Sequence, residues 1–171
     1  MPESLTTLDA HVFNGATNLK SITLNSALSS ISGLSFYGSG ITEINTANNK
    51  NYTFENGALC NADKTLLIVV LGQPTEFTIP DGVVEIGRYA FHFKHSLTSV
   101  TIPNTVTTIG QSFQNCTSLQ TIRIPNSVTS IDKGCFSNTG LTKIEIDNTE
   151  GAIEGAPWGC TIGDRGIFWL R

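Results

Sequence analysis

Three histidines (His11, His92, His95), four cysteines (Cys60, Cys116, Cys135, Cys160) and the carboxylates Asp147, Glu150 and Glu154 come nearest to a chemical constellation in this chain. A zinc centre wants three or four Cys, His or acidic ligands in tetrahedral reach. His92 and His95 with Cys116 would be the set to test, but Lys94 stands in the same loop and opposes a cation. Nucleophilic catalysis needs a base held by an orienting third group. The histidines fall on connecting segments, and no nucleophile elbow accompanies them. Gly38-Ser39-Gly40 lacks the lysine and following helix of a phosphate loop. The cysteines show no CxxC and no regular spacing, so Cys116 and Cys135 read as small buried apolar residues. Asp147, Glu150 and Glu154 read as a solvated acidic turn. The expectation is a protein that is not an enzyme, with no catalytic, cofactor-binding or metal-ligating residues and no cofactor.

Composition narrows the partners. Only 14% of residues are charged and the net charge is -4, so no basic face neutralises phosphates or an anionic bilayer. Nucleic acid is excluded on that ground. The longest apolar run, Leu66 to Leu71, is far short of the ~20 residues a spanning helix needs, which argues against membrane insertion. Asn51-Tyr52-Thr53 and Asn115-Cys116-Thr117 match glycosylation sequons, as chance allows in a chain this rich in Asn and Thr.

The elements that position these residues repeat. Leu97, Leu119 and Leu141 fall 22 apart; Phe91, Phe113 and Phe136 fall 22 and 23 apart; Phe13 and Phe36 fall 23 apart. The unit is L-x-x-I-x-I-P-x-x-V-x-x-I-G-x-x-A-F. Alternation in Leu119-x-x-Ile122-x-Ile124 predicts a short strand with both isoleucines inward. Pro125 ends the ladder, Asn126-Ser127 turns the chain, and Val128 and Ile131 bring it back to Cys135-Phe136. One unit cannot cover its own apolar face, so the units stack and their strands pair in parallel at about 4.8 Å. The five phenylalanines should form an internal column. The residue before each (Val12, Ser35, Ala90, Ser112, Cys135) is small, as tight packing requires.

Between Phe36 and Phe91 the spacing is 55, one repeat plus an insertion. Two apolar runs flank Asn61-Ala62-Asp63-Lys64 and predict a hairpin that covers core exposed by the broken repeat. The tail leaves the repeat: a turn at Gly155-Ala156-Pro157-Trp158 and a final strand over Gly166 to Leu170 predict a cap. Trp158 there either closes the core or offers a platform to a carbohydrate.

The motifs IPDGVVEIGRYAF (79–91), CTSLQTIRIPNSVTSI (116–131) and KGCFSNTGLTKIEI (133–146) resemble the BspA-like leucine-rich repeats, the 23-residue class of bacterial surface repeats. The resemblance implies a mainly β, right-handed leucine-rich-repeat solenoid with a parallel β-sheet, short helical or irregular turns, one inserted β-hairpin and a C-terminal cap. The single domain 1–171 divides into repeats (1–46), hairpin insertion (47–74), repeats (75–146) and cap (147–171). Pro2 to Leu8 matches Pro103 to Ile109 in mid-repeat, which predicts a fragment of a longer chain.

The resemblance further implies an extracellular or cell-surface, adhesin-like module. It would be monomeric and bind a protein partner such as a host matrix protein; the alternative is a spacer presenting another domain. The outward columns of the strands are small and polar, without an aromatic. Within them Ser99, Thr101, Gln120, Thr121, Arg123, Lys143 and Glu145 are the candidate partner-binding residues. Arg123 and Glu145 fall directly opposite and are expected to pair.

Overall fold

The computed structural model describes residues 1–161 and 166–170; residues 162–165 and 171 of the expected cap lie outside the described residues. It is almost entirely β, with no α-helix among the described residues, and it forms two compact units, 1–72 and 73–171.

In the first unit β1 (Thr7–Leu8) pairs in parallel with β3 (Ser30–Ile31), and β2 (Ser21–Thr23) with β4 (Glu43–Asn45). Each repeat thus supplies two short strands, and equivalent strands of successive repeats stack. Polar residues do the work of backbone in the turns. Asn25 and Asn49 are both buried. The Asn49 amide donates to the carbonyls of Asn25 at 2.7 Å and Leu28 at 2.8 Å, while Asn25 Oδ1 accepts from the Leu28 N–H at 2.9 Å. No strand partner reaches these carbonyls, and Asn49 is the side-chain donor they share. Asn51 adds a third donor, its Nδ2 reaching Leu28 O at 2.9 Å, so the nitrogen of that sequon already holds the turn.

The insertion is larger than one hairpin. β5 (Tyr52–Glu55), β6 (Ala58–Asn61) and β7 (Leu66–Val70) form an antiparallel meander with two tight connections. The expected connection joins β6 to β7 through 62–65. The second lies at Asn56-Gly57, whose φ values of 51° and 81° are the left-handed pair that a two-residue hairpin needs. Tyr52, Leu59, Ile68 and Val69 are buried in one cluster with Leu24, Leu28 and Phe36, so the meander covers the core of its unit.

In the second unit β9 (Glu85–Ile86), β11 (Thr108–Ile109) and β13 (Ser130–Ile131) form one parallel ladder. The other face carries β8 (Glu76–Thr78) with β10 (Ser99–Thr101), and β12 (Thr121–Ile124) with β14 (Lys143–Ile146) and β15 (Ile167–Trp169). Burial alternates as the pattern dictates: Ile122 and Ile124 point in, Thr121 and Arg123 out.

Phe91, Phe113 and Phe136 stack with centroids 4.8 Å and 5.8 Å apart, and Phe13 and Phe36 stack at 5.7 Å in their own unit. Trp158 extends the second stack, edge-on to Phe136 at 6.3 Å. It is 1% exposed and its indole donates to the Glu154 carbonyl at 2.7 Å, which decides for the core and against a carbohydrate platform. Beside the rings, Ser35 and Ser112 are buried and hydroxyl-satisfied. Ser35 Oγ donates to Leu8 O at 2.9 Å and Ser112 Oγ to Gly87 O at 2.9 Å, tying one repeat to the last. All four cysteines are free and buried.

Candidate functional site: the outward sheet face

The β12–β14 ladder places Thr121 opposite Lys143 and Arg123 opposite Glu145. Gln120 immediately precedes β12 and is exposed. These five candidates therefore share one surface. Ser99 and Thr101 are exposed on β10, but no ladder joins β10 to β12: the hydrogen-bonded sheet is interrupted there. Beside this break opens a cleft of about 290 Å³, lined by Thr101, Ile102, Asn104, Arg123 and Asp147. Thr101 and Arg123 thus line the same cleft beside the break.

The charges pair differently from expectation. Arg123 does not bind Glu145. Its Nε and Nη2 donate to the two carboxylate oxygens of Asp147 at 2.8 Å each, a fork-to-fork geometry only a guanidinium provides. Asp147 is set just past β14 by the backbone bond from its N–H to Ile124 O at 2.9 Å. Glu145 instead pairs along its own strand with Lys143. The carboxylate of Asp147 raises the Arg123 pKa, so this cation keeps its charge. Three guanidinium N–H groups are left over from the Asp147 pair, since Arg has five. The side chain is 65% exposed and lines the cleft.

One surface residue was not legible in the repeat pattern. β15 pairs with β14 so that Phe168 falls opposite Glu145, and Phe168 is 44% exposed. Lys143 Nζ lies 5.3 Å from its ring centroid. The face therefore holds an aromatic after all, brought by a tail strand whose sequence abandons the repeat.

The other candidate chemistries dissolve into structure. Cys116 Sγ donates to Phe91 O at 3.1 Å, and burial pushes its thiol up to about 12. No group of three or more His, Cys, Asp or Glu able to hold a metal ion occurs among the described residues. Gly40 of the Gly-Ser-Gly run abuts the Thr17 carbonyl so closely that a Cβ could not fit, and Gly140 meets Thr117 in the same way. No helix among the described residues is long and apolar enough to cross a membrane.

Parallel strands repeating every 22 or 23 residues, with a phenylalanine stack inside and a polar sheet face outside, define a leucine-rich-repeat protein. The BspA type leucine rich repeat model matches residues 1–68 and 72–156 in six copies, and the chain belongs to that family. Among solved structures it is similar to a leucine-rich repeat protein from Eubacterium ventriosum, with 29% identity and a TM-score of 0.77 over 95% of this chain and 45% of that one. It is similar in fold to the pneumococcal vaccine antigen PcpA (20% identity, TM-score 0.65, 84% of this chain and 43% of that one). It is likewise similar to a leucine rich cell surface protein from Faecalibacterium prausnitzii (21%, 0.56, 99% and 52%). The chain thus spans about half the length of these proteins or less. No curated protein matches it in sequence. Leucine-rich-repeat scaffolds are generally non-enzymatic.

Proposed function

We propose that this chain is a non-enzymatic cell-surface module that binds a protein partner, a host matrix protein or another surface macromolecule, through the outward face of β12, β14 and β15. The observation that carries this reading is the arrangement of that face. A ladder holds Arg123, Lys143 and Phe168 on one rigid exposed surface beside the 290 Å³ cleft. Arginine and aromatic side chains are the types that dominate protein-binding hot spots. Family membership supports the same reading, as does the similarity to a protein named as a cell surface protein.

The test is binding to immobilised fibronectin, fibrinogen and a panel of other matrix proteins. Saturable binding that drops at least ~10-fold in Arg123→Ala/Phe168→Ala is expected. No saturable binding to any of them, or binding indifferent to that double substitution, sinks the reading.

A spacer role is the second reading, favoured by the fact that the similar solved chains are about twice as long or more. It predicts that swapping the whole 75–146 segment for unrelated repeats of equal number leaves the parent protein's binding intact.

A further inference from the structure

A second surface of the 73–171 unit breaks the rules the other repeats follow. Two residues after each column phenylalanine the backbone turns left-handed: Gly15 (φ 79°), Gly38 (69°), Phe93 (58°), Asn115 (63°) and Asn138 (56°). Glycine and asparagine are the residues that tolerate this region, and a bulky aromatic there is strained. Phe93 alone departs from the rule, and Tyr89, four residues earlier, is also left-handed at 68°.

What the two aromatics build is a continuous chain of rings on the connecting segment. Arg88 Cζ stands 4.8 Å over the Tyr89 ring. Tyr89 meets His92 at 5.2 Å, His92 meets Phe93 at 4.4 Å, and Phe93 meets His95 at 5.3 Å, all edge-to-face. His95 Nδ1 lies 3.4 Å from Thr117 Oγ1 in the next repeat, and Gln73 Nε2 donates to the Phe93 carbonyl at 3.1 Å. Arg88 and His95 are exposed, while the three rings between them are half-buried.

The charge of this region also runs against the chain. The protein has 14 acidic residues and a net charge of -4, yet no aspartate or glutamate stands between Glu85 and Asp132. The segment holding Arg88, His92, Lys94 and His95 is free of acids, and so is the repeat after it. A guanidinium placed over a tyrosine ring can still direct N–H donors to a carboxylate. Tyr and Arg are both enriched among the hot-spot residues of protein interfaces. Backbone strain at a half-buried aromatic on the connecting face fits a functional surface.

We infer that the Arg88–Tyr89–His92–Phe93–His95 surface docks an acidic polypeptide segment of a partner protein, one carrying carboxylates beside aromatic side chains. Arg88 takes the carboxylate and the Phe93 and Tyr89 edges take the rings. This surface is distinct from the β12–β14–β15 face and is independent of it.

The experiment uses the random copolymer poly(Glu,Tyr), with hyaluronate as a carboxylated polymer without a polypeptide backbone. Binding and thermal melts are measured for the whole chain and three variants. Wild type binds poly(Glu,Tyr) saturably and more weakly as salt rises, and it does not bind hyaluronate. Arg88→Ala lowers affinity about tenfold or more. Phe93→Asn, which restores the residue used at Asn115 and Asn138, lowers affinity by a similar factor while Tm holds or rises. Lys50→Ala, an equal loss of charge at an exposed residue of the 1–72 unit, changes nothing. The inference is overturned if wild type shows no saturable binding to the copolymer. It is also overturned if Arg88→Ala and Phe93→Asn bind as wild type does, if Lys50→Ala is as damaging as Arg88→Ala, or if hyaluronate binds equally well. Because the matrix-protein assay reads the other face, failure here leaves that reading standing.

Discussion

Arg123 reaches past Glu145, its direct partner in the β12–β14 register, and closes a two-pronged ion pair with Asp147. The choice is geometric. Glu145 is held by Lys143 on its own strand, while Asp147 presents both oxygens where the ladder ends. Since Arg123 is exposed, the pair serves to orient the guanidinium more than to hold the fold. Arg123→Ala and Asp147→Asn should each leave Tm within about 2 °C of wild type. A loss above about 5 °C in either would show that the pair props the cleft open, against this account.

The phenylalanine stack is where stability resides. Phe113 is fully buried between Phe91 and Phe136. Phe113→Ala should cost about 3–5 kcal/mol and Phe113→Leu under ~2 kcal/mol, since leucine refills most of the cavity. Trp158→Ala should match the larger figure, because it removes the last ring of the stack. Urea denaturation reads all three. A mild Trp158→Ala would mean that the cap is dispensable.

Asn49 predicts a cost of a different origin. Its amide satisfies two buried carbonyls that no strand reaches. Asn49→Ala should destabilise by about 1–3 kcal/mol although almost no apolar surface is lost. Asn49→Asp should be worse, since it deletes the donor and brings a charge into a buried site. If Asp is tolerated as well as Asn, the amide is not the reason for the residue.

Alkaline pH should unfold the protein through its thiols. Burial pushes Cys116 and Cys135 up to about 12 and Cys60 to about 11, against 9.0 when unfolded. Raised folded values mean that this stability is fully present below pH 9 and is lost as pH climbs toward the folded values. Each thiol removes about 1.4 kcal/mol per pH unit in that window. Lys94 works the other way: burial lowers it to about 8, so its contribution grows from pH 8 to about 10.5. The net slope between pH 9 and 10 should be downward, shallower in Cys135→Ala and steeper in Lys94→Met. Urea melts across that range in reducing buffer check it, and a flat profile would contradict it.

Much of this architecture was legible in spacing alone. Period-two alternation at Ile122 and Ile124 and the recurrence of Phe91, Phe113 and Phe136 dictate strand, inward face and stack, because each signal is repeated and each has one physical solution. The meander was half legible. The run around Asn61-Ala62-Asp63-Lys64 marks one connection, and Asn56-Gly57, the stronger hairpin signal, marks the other. Asp147 was missed as the partner of Arg123 because register predicts which Cα atoms face each other and says nothing of how far a long side chain reaches. Phe168 was missed because its strand joins the sheet without repeat spacing. The strain at Phe93 was within reach of the sequence, since aligning Gly15, Gly38, Asn115 and Asn138 leaves it as the odd residue.

The ladders of the second unit have a mechanical consequence. Hydrogen bonds between equivalent strands, such as β12 with β14, run along the stacking direction instead of across it. A pull along that direction loads the bonds of every repeat in series, and the outermost repeat, packed on one side only, yields first. Such a stack peels one turn at a time, each releasing about 73–83 Å of chain at ~3.3–3.6 Å per residue. Single-molecule stretching would record a low, even staircase in place of one high rupture, and a lone tall peak would refute it. A chain built this way would lengthen under load and recoil afterwards, limiting the force passed on through it.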